Sequence, residues 1–172
     1  MPRCGGRMPP RGTGTLLLAM AVLPLAAPAQ VPGIMPYGSR AGMQVTVVSQ
    51  SGIDSARAVI RVVHTEADAL AYCRVYVGDP SRRCVEETRA DLAGVLRDRI
   101  EGDCPRGVFT DLWGDRYRFA GPLDPPSDLG AVWAFVDADG GPPLDGSMAS
   151  GYGVVLDQFR ALCPGRLVRL RE

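Results

Sequence analysis

The chain contains no lysine, no asparagine and a single histidine, His64. Each absence removes a class of chemistry. Without lysine there is no side-chain Schiff base and no phosphate-loop lysine. Without asparagine there is no N-glycosylation acceptor. One imidazole cannot build a site that needs several histidine ligands. Long apolar runs are also missing: the longest stretch, residues 15–27, would rise only about 20 Å as a helix, short of a ~30 Å hydrocarbon core.

What is present is globular composition: 172 residues, 46% apolar and 22% charged, with 19 basic residues, all arginine, against 19 acids. That length allows one ordinary domain plus an extension. Residues 1–29 supply the extension. Arg3, Arg7 and Arg11 precede the apolar stretch, and Ala27-Pro28-Ala29 places small residues before Gln30. This is the three-part order of a secretory signal peptide. Its removal predicts a periplasmic or secreted chain with 16 arginines against 19 acids and no membrane span. A slightly acidic chain has little long-range attraction for phosphate backbones, so nucleic acid is not an expected partner.

Removal also discards Cys4 and leaves Cys73, Cys84, Cys104 and Cys163. An even number in an exported chain reads as two disulfides. Three pairings exist. The short separation across a turn favours 73–84, which leaves 104–163.

Residues 30–42 (QVPGIMPYGSRAG) are rich in Pro and Gly and read as a flexible arm. Alternating, β-branched residues predict strands over 43–49 and 58–64. Thr65, followed by Glu66 and Asp68, is a helix N-cap with acids in the first turn. Ala69, Leu70, Cys73 and Val77 then share one side of that helix. A second helix is predicted over 82–96, with Thr88, Leu92 and Leu96 on one face. Period-two runs predict strands over 99–104, 108–113, 116–119 and 131–137, with a weaker return near Leu144. The hairpin at Gly114-Asp115 sets Arg116 and Arg118 on one face and Tyr117 and Phe119 on the other. Residues 121–130 form a loop, residues 152–162 an amphipathic helix, and residues 166–172 a charged tail. Helices and strands are segregated, not alternating. That predicts an α+β domain over residues 43–165: an antiparallel sheet of about five strands, helices packed on one face, and two disulfides.

Several residue groups could carry chemistry. Asp137, Asp139 and Asp145 resemble the opening of a calcium loop, but the terminal bidentate Glu is absent and hairpin turns favour Asp and Gly anyway; no metal or cofactor is expected. Ser147 and Ser150 lie outside any G-x-S-x-G pattern, and Ser150 is expected as the N-cap or a start-loop residue of the last helix. His64 could activate a cysteine, but bridged cysteines leave no thiol. Asp111, Asp115, Asp124 and Asp128 surround Trp113, Tyr117 and Phe119, the composition of a glycan-cleaving groove. Arg82, Arg83, Arg116 and Arg118 could form a recognition face, since Arg and aromatics are enriched at interfaces.

The run from Cys73 to Cys84 (CRVYVGDPSRRC), Gly102-Asp103-Cys104, Gly107-Val108-Phe109, Asp145-Gly146-Ser147 and Ala149-Ser150-Gly151-Tyr152 resembles a group of small exported bacterial proteins of unknown function. The likeness spans most of residues 65–165, rests on cysteine spacing and turn residues, and implies no activity. The expectation is therefore a non-enzymatic binding module of the cell envelope. Its partner would be an envelope protein or glycan, met through Trp113, Arg116 and Arg118. The competing expectation is a weak carboxylate hydrolase of an envelope glycan at Asp111 and Asp115.

Overall fold

The computed structural model describes residues 33–168. The expected signal peptide and most of the charged tail lie outside them.

Seven strands form one antiparallel sheet whose spatial order is the chain order: β1 (Ile34–Pro36), β2 (Gln44–Ser51), β3 (Ala58–Val63), β4 (Arg99–Asp103), β5 (Val108–Thr110), β6 (Arg116–Pro122) and β7 (Trp133–Asp137). Among the described residues three α-helices complete it: α1 (Glu66–Tyr72), α2 (Arg82–Leu92) and α3 (Tyr152–Leu162). The α+β class stands, with seven strands in place of about five.

One of the added strands, β1, comes from the segment expected as a flexible arm. Ile34 pairs with Thr46 and Pro36 with Gln44. Met35 and Tyr37 bury themselves in the core at 4% and 1% exposure. Pro36 is tolerated because β1 is an edge strand and needs no second ladder partner. At the other end, Leu167 packs against the core from a 3-10 turn over Pro164–Leu167, so ordered structure runs past residue 165.

The sheet curls around α3. Gln158 of α3 donates to the Pro36 carbonyl at one sheet edge, while Phe159 meets Phe135 of β7 at the other, 5.3 Å between ring centres. Phe159 also stacks on Phe119 at 5.0 Å and reaches Phe109 at 5.5 Å. One buried helical residue thus touches three aromatic side chains, which is where aromatic pairs add most beyond area burial. The Cys104–Cys163 disulfide ties the end of β4 to the end of α3.

The expectation that all helices share one face is revised. Val45 and Val47 point to the α3 side of β2, whereas Gln44 and Thr46 leave the other side and donate to the Asp68 carboxylate of α1 at 3.5 and 3.0 Å. α1 docks on the outer side of β2. Asp68 also completes a capping box with Thr65, which is the predicted N-cap.

The second disulfide joins Cys73 to Cys84, as the spacing favoured. Between α1 and α2, Cys73–Val77 forms a π-helical turn closed by Gly78 at φ 76°. The wider winding breaks the 3.6-residue phase. Val77, expected on the buried side with Ala69 and Cys73, is 48% exposed as a result.

Candidate functional site

The β5–β6 connection builds the site. It was expected as a two-residue turn at Gly114-Asp115, but β5 ends at Thr110 and five residues make the reversal. Asp111 is the cause. Its Oδ1 accepts from the Trp113 N–H at 2.8 Å and the Asp115 N–H at 2.9 Å. An aspartate that captures the amides ahead of it competes with the strand ladder and closes a local turn.

This turn, the end of β1 with residues 37–39 after it, and the loop leading into α3 enclose two adjoining depressions. The first, of about 180 Å³, is lined by Tyr37, Asp111, Trp113, Asp115, Tyr117 and Met148 among others. The second, of about 300 Å³, lies between Pro36, Ser147, Tyr152 and Asp157. They share Gly38, Ser39, Met148 and Val154, and so form one groove over the N-terminal end of α3. Gln158 holds the parts together from below. It is fully buried, donates to the Pro36 carbonyl at 2.9 Å and accepts from the Leu112 N–H at 3.2 Å.

Charge and surface differ sharply along the groove. Asp111 is 3% exposed. Burial pushes its carboxyl up to about 6, with the charge of Asp115 adding to the rise and the backbone hydrogen bonds opposing it. Burial likewise pushes Tyr117 up to about 12, aided by Asp111, Asp115 and Asp137. On the rim, Met148 is 72% and Trp113 40% exposed. The Trp113 ring does not swing freely. Its Nε1–H donates to the Tyr37 carbonyl at 2.6 Å, and its ring meets that of Tyr37 edge-on at 6.0 Å.

The expected binding trio is divided. Trp113 lines the groove, while Arg116 lines a separate depression of about 390 Å³ with Arg57, Glu101 and Thr110. Arg118 is two residues further along β6 and shares the exposed face of Arg116, opposite Phe119. Arg82 and Arg83 stand on α2 and pair with Glu86 and Glu87 at 2.7 Å each. Of the four acids considered, Asp111 and Asp115 come together. The loop expected over 121–130 starts only after β6 ends at Pro122; Asp124 and Asp128 are exposed in it and line none of these depressions.

The other candidates resolve locally. Asp137 accepts from the Asp139 N–H and Asp145 from the Ser147 N–H, both at 2.8 Å. Each caps its own turn, and among the described residues no three acidic, Cys or His side chains converge on a metal-sized site. Of the two places expected for Ser150, the structure gives the loop leading into α3, where its hydroxyl donates to the Ser147 carbonyl; the N-cap itself is Gly151. His64 packs edge-on against Tyr37 at 5.7 Å, and burial lowers its pKa. With Cys73, Cys84, Cys104 and Cys163 all bridged, His64 has no thiol to activate among the described residues.

Sequence reasoning passed over Tyr37, Met148 and Gln158. Met35 and Tyr37, apolar at i and i+2, were the available signal for β1. Nothing local to Gln158 marks it, because both its partners lie far away in sequence. No family model, no curated protein and no solved structure matches the chain.

Proposed function

We propose that this protein is a binding module of the cell envelope that holds a glycan in the groove over α3. The observation that carries the proposal is the pairing of an exposed, hydrogen-bond-fixed Trp113 on the rim with the carboxylate of Asp111 inside. An aromatic face stacks on the apolar face of a sugar, and a carboxylate accepts from its hydroxyls. Well-formed clefts with a few convergent polar groups are the default ligand sites of small domains. Export is supported by the leader-like residues 1–29 and by two disulfides, which persist in oxidising compartments. Among the described residues no helix is long and apolar enough to cross a membrane. The Arg116 and Arg118 face is set aside as the primary contact, because it lies away from the groove.

The test is calorimetric titration of the oxidised protein with the N-acetylglucosamine–N-acetylmuramic acid disaccharide of peptidoglycan. Saturable binding is expected, lost in Trp113→Ala and kept in the double variant Arg116→Ala, Arg118→Ala. Binding that survives Trp113→Ala but vanishes in the double variant would transfer the site to the outer sheet face. A second reading, hydrolysis of the same glycan, has one observation in its favour: a carboxyl raised by burial beside a second, exposed carboxylate, an arrangement used to split acid and base roles. Turnover of the disaccharide that Asp111→Asn abolishes while the variant still unfolds cooperatively, with no loss of stability, would replace the binding reading with that one.

A further inference from the structure

The charged side chains that line the groove over α3 are Asp111, Asp115 and Asp157. Among the described residues no arginine lines either depression, in a chain with 19 arginines. The arginines nearest in sequence are held elsewhere. Arg160 pairs with Asp157 at 2.6 Å and meets that charge. Arg40 lies 4.9 Å from the Tyr76 ring centre, Arg97 bonds to Glu101 at 2.6 Å, and Arg116 lines the depression on the outer sheet face. Asp111 and Asp115 therefore keep their charges without an ion pair among the described residues.

The titratable groups of the wall feel the same sign. Burial raises Asp111, Tyr117 and Tyr37, and each charge that acts on them raises them further: Asp115 on Asp111, then Asp111, Asp115 and Asp137 on Tyr117, and Tyr72 and Asp68 on Tyr37. Only backbone N–H groups pull Asp111 down. A carboxylate at 3% exposure is ordinarily paired with a cation. Asp111 instead borders an open cleft with the fixed Trp113 ring on its rim. Hard metal ions take about six or more oxygen ligands, and among the described residues no third acidic, Cys or His side chain joins these two. An ammonium brings three N–H donors, and tryptophan offers the best aromatic face for a cation.

Resting on the glycan reading above, we propose that the groove selects a cationic amino sugar, one whose amine is free and not acetylated, with the ammonium set against Asp111, Asp115 and the Trp113 ring. The glycan reading asks only for ring stacking and hydroxyl hydrogen bonds. The sign of the groove adds the requirement for positive charge.

Calorimetric titration with two sugars that differ only in their acetyl groups tests this: the β-linked disaccharide of glucosamine with both amines free, and its di-N-acetyl form. Near pH 7 the free-amine sugar should bind about tenfold more tightly, the factor of one hydrogen bond between charged groups, and the ratio should fall as salt rises. Asp115 is exposed and its side chain makes no hydrogen bond or ion pair among the described residues, so Asp115→Asn should keep the fold and remove most of that ratio. Equal affinity for the two sugars, or an unchanged ratio in Asp115→Asn, overturns the charge requirement and leaves the glycan reading standing. Cadaverine, a diamine without a sugar, should give no saturable binding; affinity equal to that of the free-amine sugar would overturn the proposal by making the ligand an amine alone. If neither sugar binds, the proposal falls, and the glycan reading falls with it unless the peptidoglycan disaccharide binds.

Discussion

Replacing Asp111 by Asn isolates the cost of one buried charge. In the folded protein its carboxyl titrates near 6, raised by burial from 3.8. Between those values the native state holds a proton that the unfolded chain has released. Stability linked to this group is therefore fully present below about pH 4 and is lost as the pH rises through about 6. At about 1.4 kcal/mol per pH unit, the gap is worth about 3 kcal/mol. Water at the open side of the groove screens part of it, so about 1–3 kcal/mol is expected. Asn keeps an Oδ1 that can accept from the Trp113 and Asp115 N–H groups but carries no charge. Asp111→Asn should match the native protein near pH 4 and exceed it by about 1–3 kcal/mol near pH 8. His64, lowered by burial, and Glu101, lowered by its hydrogen bond from Arg97, give stability of the opposite slope. Both are unchanged in the variant and cancel in the difference. Urea unfolding followed by tryptophan emission at the two pH values measures it. A variant less stable than the native protein near pH 8, or a difference independent of pH, would refute the account of Asp111.

Three further outcomes follow from the packing. Gln158→Leu strands the buried Leu112 N–H, at about 1–3 kcal/mol, and removes the donor to the part-buried Pro36 carbonyl; it should lower the denaturation midpoint while loosening the groove. Phe159→Ala removes the ring that meets Phe109, Phe119 and Phe135 and should cost about 3–5 kcal/mol, measured by the same unfolding. The two disulfides should separate in effect. Replacing Cys104 and Cys163 by Ala opens the larger loop, worth about 4 kcal/mol, and should diminish near-ultraviolet circular dichroism; replacing Cys73 and Cys84 costs about 3 kcal/mol and should leave the aromatic signal of the main core intact.

How much of this was legible varies with the range of the interactions. The Thr65 cap, α3 and its buried side were readable because their causes lie within a few residues. Cysteine spacing pointed to Cys73–Cys84 for the same reason, and Cys104–Cys163 followed as the remaining pair. β1 was hidden because three residues with a central methionine and a terminal proline carry too little alternation to outweigh the Pro and Gly around them. Val77 was assigned to the wrong side because 3.6-residue periodicity assumes an α-helix, and the chain winds as a π-helix from Cys73. For the site, Asp111 and Trp113 were named from composition alone. Their separation from Arg116 and Arg118 was not visible, since it depends on Asp111 capturing two amides and lengthening the turn. Gln158 joins segments 46 and 122 residues away, which no local pattern encodes.

The most direct test of the groove as ligand site is amide chemical-shift mapping of the oxidised protein during titration with the peptidoglycan disaccharide. The account predicts saturable shifts concentrated in residues 37–39, 111–115, 117 and 146–154, with Arg116 and the β3–β4 face unmoved. Shifts confined to the surface around Arg57, Glu101 and Arg118, or none at saturating disaccharide, would contradict it.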